Sequence, residues 1–376
     1  EILYKESTEI FRLLTGEESY YYGQGLHNLA NLYKKMGKYP LSESFYKKTI
    51  GIYKKSLGEE YARYGDCLDN YGVLCIYMGK YLEAKPLIEA AAEIRKNNSG
   101  EKSSNYASSL SNLALLYESF GHYKAAEPLY LKAMSIYKES VGDKHKYYSS
   151  ILKTLGYLYQ RMGNYANAEF FYKVSIGIYE RSLGKESEDY AFAITGLASF
   201  YGETGNFALA EPLLKEALEI VEKLLGNEHP FYATAIRNLS GLYILMGNYG
   251  KGVKLLTQSI DITKKNLGEQ SLEYAEAVSS IVPMLILAGE YADAEKLSLT
   301  AIDYFEKTSA TAVPQYSATL RSLSLIYQQM GYLDKASNAL SKALRTTKIN
   351  QGENHIDYAG ALQKMAALEE KKANYS

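Results

Sequence analysis

Apolar residues recur along the chain at helical spacing. In 22–36, Leu26, Leu29, Ala30 and Tyr33 fall at i, i+3, i+4 and i+7. In 40–57, Leu41, Phe45, Tyr46, Ile50, Tyr53 and Leu57 continue the stripe, with charged residues on the opposite face. The pattern predicts a helix A of about 15 residues and a helix B of about 17, each stopped by a glycine that takes the left-handed conformation cheaply. The turns are too short for anything but antiparallel neighbours.

The pattern repeats every 42 residues. Glycines stand at Gly16, Gly58, Gly100, Gly142, Gly184, Gly226, Gly268 and Gly352, with Ala310 in the one gap. A second column, Gly37 to Gly331, has no gap. Tyr22, Tyr64, Tyr106, Tyr148, Tyr190, Tyr232, Tyr274, Tyr316 and Tyr358 form a third, which explains much of a composition with 38 tyrosines and no tryptophan. Small residues fill a column of helix A (Ala30, Gly72, Ala114, Gly156, Ala198, Ser240, Ser324, Ala366) and one of helix B (Ser42, Ala84, Ala126, Ala168, Ala210, Gly252, Ala294, Ala336). A large column, Tyr33, Tyr117, Tyr159, Tyr201, Tyr243 and Tyr327, lies one turn on in helix A. Large against small is how a helix pair interlocks.

The stretches "NLANLYKKMGKY" (28–39) and "NLALLYESFGHYKAAEPLYLKAMSIY" (112–137) resemble the tetratricopeptide repeat (TPR). The 42-residue period and the "LGxxxxxYA" link resemble the long variant found in kinesin light chains, and also in the arrays that precede CHAT-type cysteine peptidase domains in bacterial proteins. The resemblance covers the whole chain. It implies an all-α, right-handed superhelical solenoid of antiparallel helix pairs, with helices A on the concave face. One array is expected over 1–376. It comprises a half-repeat helix B (1–15), full repeats at 22–57, 64–99, 106–141, 148–183, 190–225, 232–267, 274–309 and 316–351, and a terminal helix A (358–372). Tyr375 falls on the column of Tyr39 and Tyr291. Half-repeats at both ends, and a first residue that is Glu, fit a piece of something longer; Glu369, in the large tyrosine column, suits a solvated capping helix instead.

Charge changes the picture by exclusion. Lys and Arg total 42 against 43 Asp and Glu, which argues against direct nucleic-acid binding. No apolar run is long enough to span a membrane. Cys67 and Cys75, eight residues apart on one helix, would lie about 12 Å apart along its axis, too far for a disulfide. Free thiols suit a reducing, cytoplasmic compartment.

No HExxH, CxxC or P-loop pattern appears, and no cofactor or metal is expected. His145, His229 and His355 share one position of the repeat, too far apart to share a metal. His27 would be the histidine nearest the two thiols, but two small semi-buried thiols are the simpler reading. The tyrosines of the link read as packing rather than as a stacking ladder. The chain is therefore read as non-enzymatic.

The resemblance places the partner site on the concave face. One column there holds Asn28, Asn70, Asn112 and Asn238, whose amides could pair with the backbone of an extended peptide. The alternative is that they bond within the array or to water. A second column holds Asn31, Val73, Leu115 and Tyr157, with Tyr77 one turn on from Val73. Lys34, Lys35, Asp66, Asp69, Lys153 and Arg161 supply mixed charge around it, which predicts a charge-patterned protein or peptide ligand.

The seventh repeat breaks the rules. Pro283 interrupts its helix A, Gly250 and Gly252 loosen the helix before, and the link after it has lost its glycine at Ala310. This predicts a hinge near 245–290, with Ile244, Leu245, Ile286 and Leu287 beside Pro283 as an apolar contact patch. The chain is read as a non-catalytic scaffold that binds a protein or peptide in its groove. The alternative is a regulatory segment, within a larger complex or fused to an effector such as a CHAT-type peptidase. A cargo adaptor of the kinesin light chain kind would usually carry a heptad coiled coil upstream.

Overall fold

The computed structural model describes residues 1–269, 271–308, 311, 313–353 and 355–373. Ala310 and Tyr375 lie outside them. All regular structure among the described residues is α-helical. The helices are α1 (Ile2–Thr15), α2 (Tyr20–Lys35), α3 (Tyr39–Ser56), α4 (Ala62–Tyr77), α5 (Tyr81–Ser99) and α6 (Ser104–Ser119). They continue as α7 (Tyr123–Val141), α8 (Lys146–Arg161), α9 (Tyr165–Leu183), α10 (Glu188–Glu203), α11 (Phe207–Leu225) and α12 (Pro230–Leu245). The last six are α13 (Tyr249–Leu267), α14 (Leu272–Ala288), α15 (Tyr291–Lys307), α16 (Pro314–Gln329), α17 (Leu333–Gln351) and α18 (Ile356–Ala373). Even-numbered helices are the A helices; odd-numbered ones are B helices.

Two compact units result. One comprises Glu1–Ile136, Glu306–Pro314 and Leu344–Leu362; the other comprises Tyr137–Phe305, Gln315–Ala343 and Gln363–Ser376.

The glycine turns close as the sequence requires. Gly37 has φ +67°, and Lys38 N–H then reaches back to the Tyr33 carbonyl at 2.9 Å. This is the six-to-one bond of a glycine-terminated helix. At the other end, Ser19, Ser103, Ser187 and Ser271 each accept the N–H of the link tyrosine three residues on. His145, His229 and His355 occupy the same capping position, each accepting an N–H two residues on through Nδ1. The link tyrosines are buried: Tyr22, Tyr64 and Tyr106 in the first unit, Tyr190, Tyr232, Tyr274 and Tyr316 in the second.

The two small columns face each other. Where one carries serine, the hydroxyl bonds the carbonyl opposite: Ser42 to Ala30 at 2.7 Å, Ser240 to Gly252 at 2.6 Å, Ser324 to Ala336 at 2.8 Å. Gly72 is needed for the same closeness, since a Cβ there would lie 2.5 Å from Ile88 Cγ1.

A joint not apparent from the periodicity links successive pairs. The large tyrosine of helix A donates to a glutamate on the preceding helix B: Tyr33 to Glu1 (3.1 Å), Tyr201 to Glu169 (2.7 Å) and Tyr243 to Glu211 (3.0 Å). The pair inverts where Glu369 replaces the tyrosine, because Ser337 then donates to it at 3.0 Å.

Helix α14 runs through Pro283 without a break, and α13 through Gly250 and Gly252.

Candidate binding groove

In the second unit, α10, α12, α14 and α16 bring three cavities into line. The first, about 530 Å³, is lined by Thr234 and Arg237 of α12, Ser280 and Pro283 of α14, and Thr319 and Ser322 of α16. The second, about 310 Å³, lies between α10 and α12, with Asp189, Phe192, Phe231 and Asn238 on its wall. The third, about 290 Å³, holds Ser199, Asn238, Leu245, Ser280 and Met284. The first shares Thr234 with the second, and Arg237 and Ser280 with the third; Asn238 is common to the second and third. They therefore form one groove. Gly202 and Gly241 also line the third cavity.

The groove is chemically mixed. Phe192 and Phe231 are about half exposed, which gives apolar surface for a ligand side chain. Lys153 Nζ lies 4.3 Å over the Phe192 ring, its pKa lowered by burial against the opposing pull of Asp189. Burial also lowers the pKa of Arg237, while Glu276 pulls the other way. Among the described residues, Arg237 makes no hydrogen bond or ion pair.

The expected site residues fall in different surroundings. In the first unit, Asn70 sits between Lys34 Nζ (3.5 Å) and His27 Nε2 (3.3 Å), and Asn112 donates to Asp69 Oδ2 at 2.9 Å. Asn31 accepts from the Tyr46 hydroxyl at 2.6 Å. Asn28 and Lys35 are exposed, Val73 and Leu115 half-buried, and exposed Tyr77 stacks on Tyr39. Asp66 and Asp69 are both held by Arg95 of α5, at 3.0 and 2.8 Å. In the second unit, Tyr157 and Arg161 are exposed on α8. Asn238, Leu245 and Pro283 line the groove. Ile286 is half-buried and Leu287 exposed, whereas Ile244 is buried beside Gly252.

The cysteines are not poised for chemistry. Both are buried, and burial pushes both thiols up, Cys75 to about 12, opposite to the shift an activated nucleophile needs. No cluster of three or more metal-ligating side chains exists among the described residues. No helix of the described residues is long and apolar enough to cross a membrane.

Sequence reasoning missed Arg95 and Arg237. Arg95 interrupts a largely aromatic column, whereas Arg237 shares its column with Asp69, Lys153 and Arg321.

Antiparallel helix pairs joined in register, with a groove along their A helices, define a helical-repeat scaffold. The chain belongs to the tetratricopeptide repeat family: that profile matches residues 21–97, 64–139, 123–181 and 189–265, and a second profile of the same description matches 322–349. Two solved structures similar to it, one a point variant of the other, are of a Podosopora anserina protein assigned as a kinesin light chain with nearly identical TPR-like repeats. The chain is 22% identical to both, at a TM-score of 0.45; the variant match covers 54% of this chain and 97% of that one, the other 55% and 98%. A third is BtubC (BKLC) from P. vanneervenii, 20% identical over 73% of this chain and 91% of that one, at a TM-score of 0.43. Among curated proteins none matches the chain significantly. The repeats of this family make the protein a protein-binding scaffold.

Proposed function

We propose that the protein holds an extended segment of a partner protein in the groove centred on Arg237 and Asn238. One observation carries this reading: three cavities join at these two residues. The equivalent amides of Asn70 and Asn112 already bond to the chain's own side chains. The fit is to a peptide with an apolar side chain for the Phe192–Phe231 cavity and mixed charge alongside. The test is capture from the native host, read by mass spectrometry. Phe192→Ala with Asn238→Ala should abolish capture of the partner, and Asn70→Ala with Asn112→Ala should leave it intact. The reverse pattern would move the site to the first unit.

A regulatory role within a complex, or beside a CHAT-type peptidase domain, rests on the sequence resemblance alone. A Cys–His peptidase pattern in the gene past the codon for Ser376 is its test. The two free thiols support a cytoplasmic location.

A further inference from the structure

Helices α1 and α18 leave open the faces that interior repeats cover. Helix α1 is a B helix that packs on α2, where Thr8 lies against Gly25. Its Leu3 and Ile10 are 79% and 53% exposed. Ile52, Ile94, Ile136, Ile178 and Ile220 stand in the column of Ile10, and all are buried. Helix α18 is an A helix whose Leu362 is 46% exposed, with Ala359 exposed beside it. In the same two columns Leu26, Leu68, Leu110 and Leu152 are buried, as are Ala107, Ala191, Ala233 and Ala275.

The interior pairs show which column meets which. Leu26 of α2 clusters with Ile52 and Phe45 of α3. A Cβ on Gly23 of α2 would lie 3.1 Å from Ile52 Cγ2, and one on Gly65 of α4 would lie 2.9 Å from Ile94 Cγ2 of α5. Counted in whole periods, Leu362 matches Leu26 and Ala359 matches Gly23, while Ile10 matches Ile52 and Leu3 matches Phe45. Each of the two helices therefore presents the half of a pair that the other needs.

We infer that the chain binds a second copy of itself head to tail, with α18 of one copy pairing with α1 of the next as α2 pairs with α3. Leu362 then closes over Ile10 and Leu3, and the small side chain of Ala359 lets the helices approach at Ile10. An exposed apolar face of this kind marks an association surface. The occupant is a second copy because the matching columns, in matching register, stand on the same chain. The contact is heterologous: each copy uses α1 toward one neighbour and α18 toward the other, so association does not stop at a dimer. No residue of the groove takes part, and the inference is independent of the groove reading.

The test is sedimentation velocity on the 376-residue chain over about a hundredfold range of concentration. Average mass should rise steadily, with no plateau at a dimer. Ile10→Asp and Ala359→Arg change exposed residues, so each should keep its helical content, and each should weaken association about tenfold or more. Mixed in equal amounts, the two variants should form a dimer and nothing larger, because the mixture keeps one intact α1 and one intact α18. A parent chain that stays monomeric overturns the inference and leaves the two faces to helices of another protein. A parent that stops at a dimer overturns it in favour of a two-fold contact. Association that neither variant weakens overturns it as well, as does a mixture of the variants that stays monomeric while the parent associates.

Discussion

The imidazole of His355 donates from Nε2 to the carbonyl of Ser119 at 2.8 Å, across 236 residues of sequence. Its Nδ1 accepts from the Asp357 N–H at 3.1 Å, so the neutral ring is satisfied at both nitrogens. Tyr81 stacks on one side at 5.6 Å and Phe120 lies 6.2 Å away. His145 and His229 cap their helices in the same way, but each rests on an aromatic ring of its own helix. His355→Ala should therefore speed amide exchange both near 352–360 and near 119–122. His229→Ala should affect only the start of α12. Unchanged exchange at 119–122 in the first variant would count against a tie that stabilises both segments.

The tyrosine–glutamate joints should contribute separately. Tyr201→Phe and Tyr243→Phe should each lower unfolding free energy by about 0.5–1.5 kcal/mol, with helical content unchanged. Urea titrations check this. The double variant should show nearly the sum, because the joints are a full repeat apart.

Gly72→Ala should cost about 1–3 kcal/mol, because the new methyl meets Ile88 at the closest approach of α4 and α5. Adding Ile88→Val should recover part of the loss. A full and additive penalty for the second substitution would mean the crowding is relieved elsewhere.

Burial holds the His27 pKa down at about 4. An unfolded histidine titrates near 6.5, so between these values the unfolded chain binds a proton that the folded chain does not. Stability should fall as pH drops through that window, by up to about 3 kcal/mol from this residue. His27→Gln should flatten the step when unfolding midpoints at pH 7.5, 6, 5 and 4 are compared with the parent.

Cys67 and Cys75 should resist thiol reagents in the folded chain and react fully in denaturant. Rapid labelling of either at neutral pH under native conditions would contradict their burial.

The array was legible from columns whose chemistry is local. Glycine is required where φ is positive, and small residues where helices touch, so Gly37, Ala30 and Ser42 mark their roles without a structure. The capping serines were equally local but were masked by histidine and tyrosine in the same column. The groove was harder to read, because Asn70, Asn112 and Asn238 look alike in sequence. What separates them is the neighbouring charge: Asp69 is drawn to Arg95 and takes Asn112 with it, while next to Asn238 stands Arg237, on which Glu276 pulls. Such pairings join residues tens of positions apart, and no period in the sequence encodes them. Pro283 was visible as an irregularity, but that α14 continues through it depends on packing that propensity does not describe.

Glu169 and Glu211 present the same carboxylate to the same hydroxyl one period later. A tandem duplication of one 42-residue period between them would meet compatible faces at both seams. Glu43 offers no such seam, since it is held by Lys80 and Tyr71, and Cys75 stands where the receiving tyrosine would be. An inserted period would therefore meet matching joints between Glu169 and Glu211, but not at Glu43.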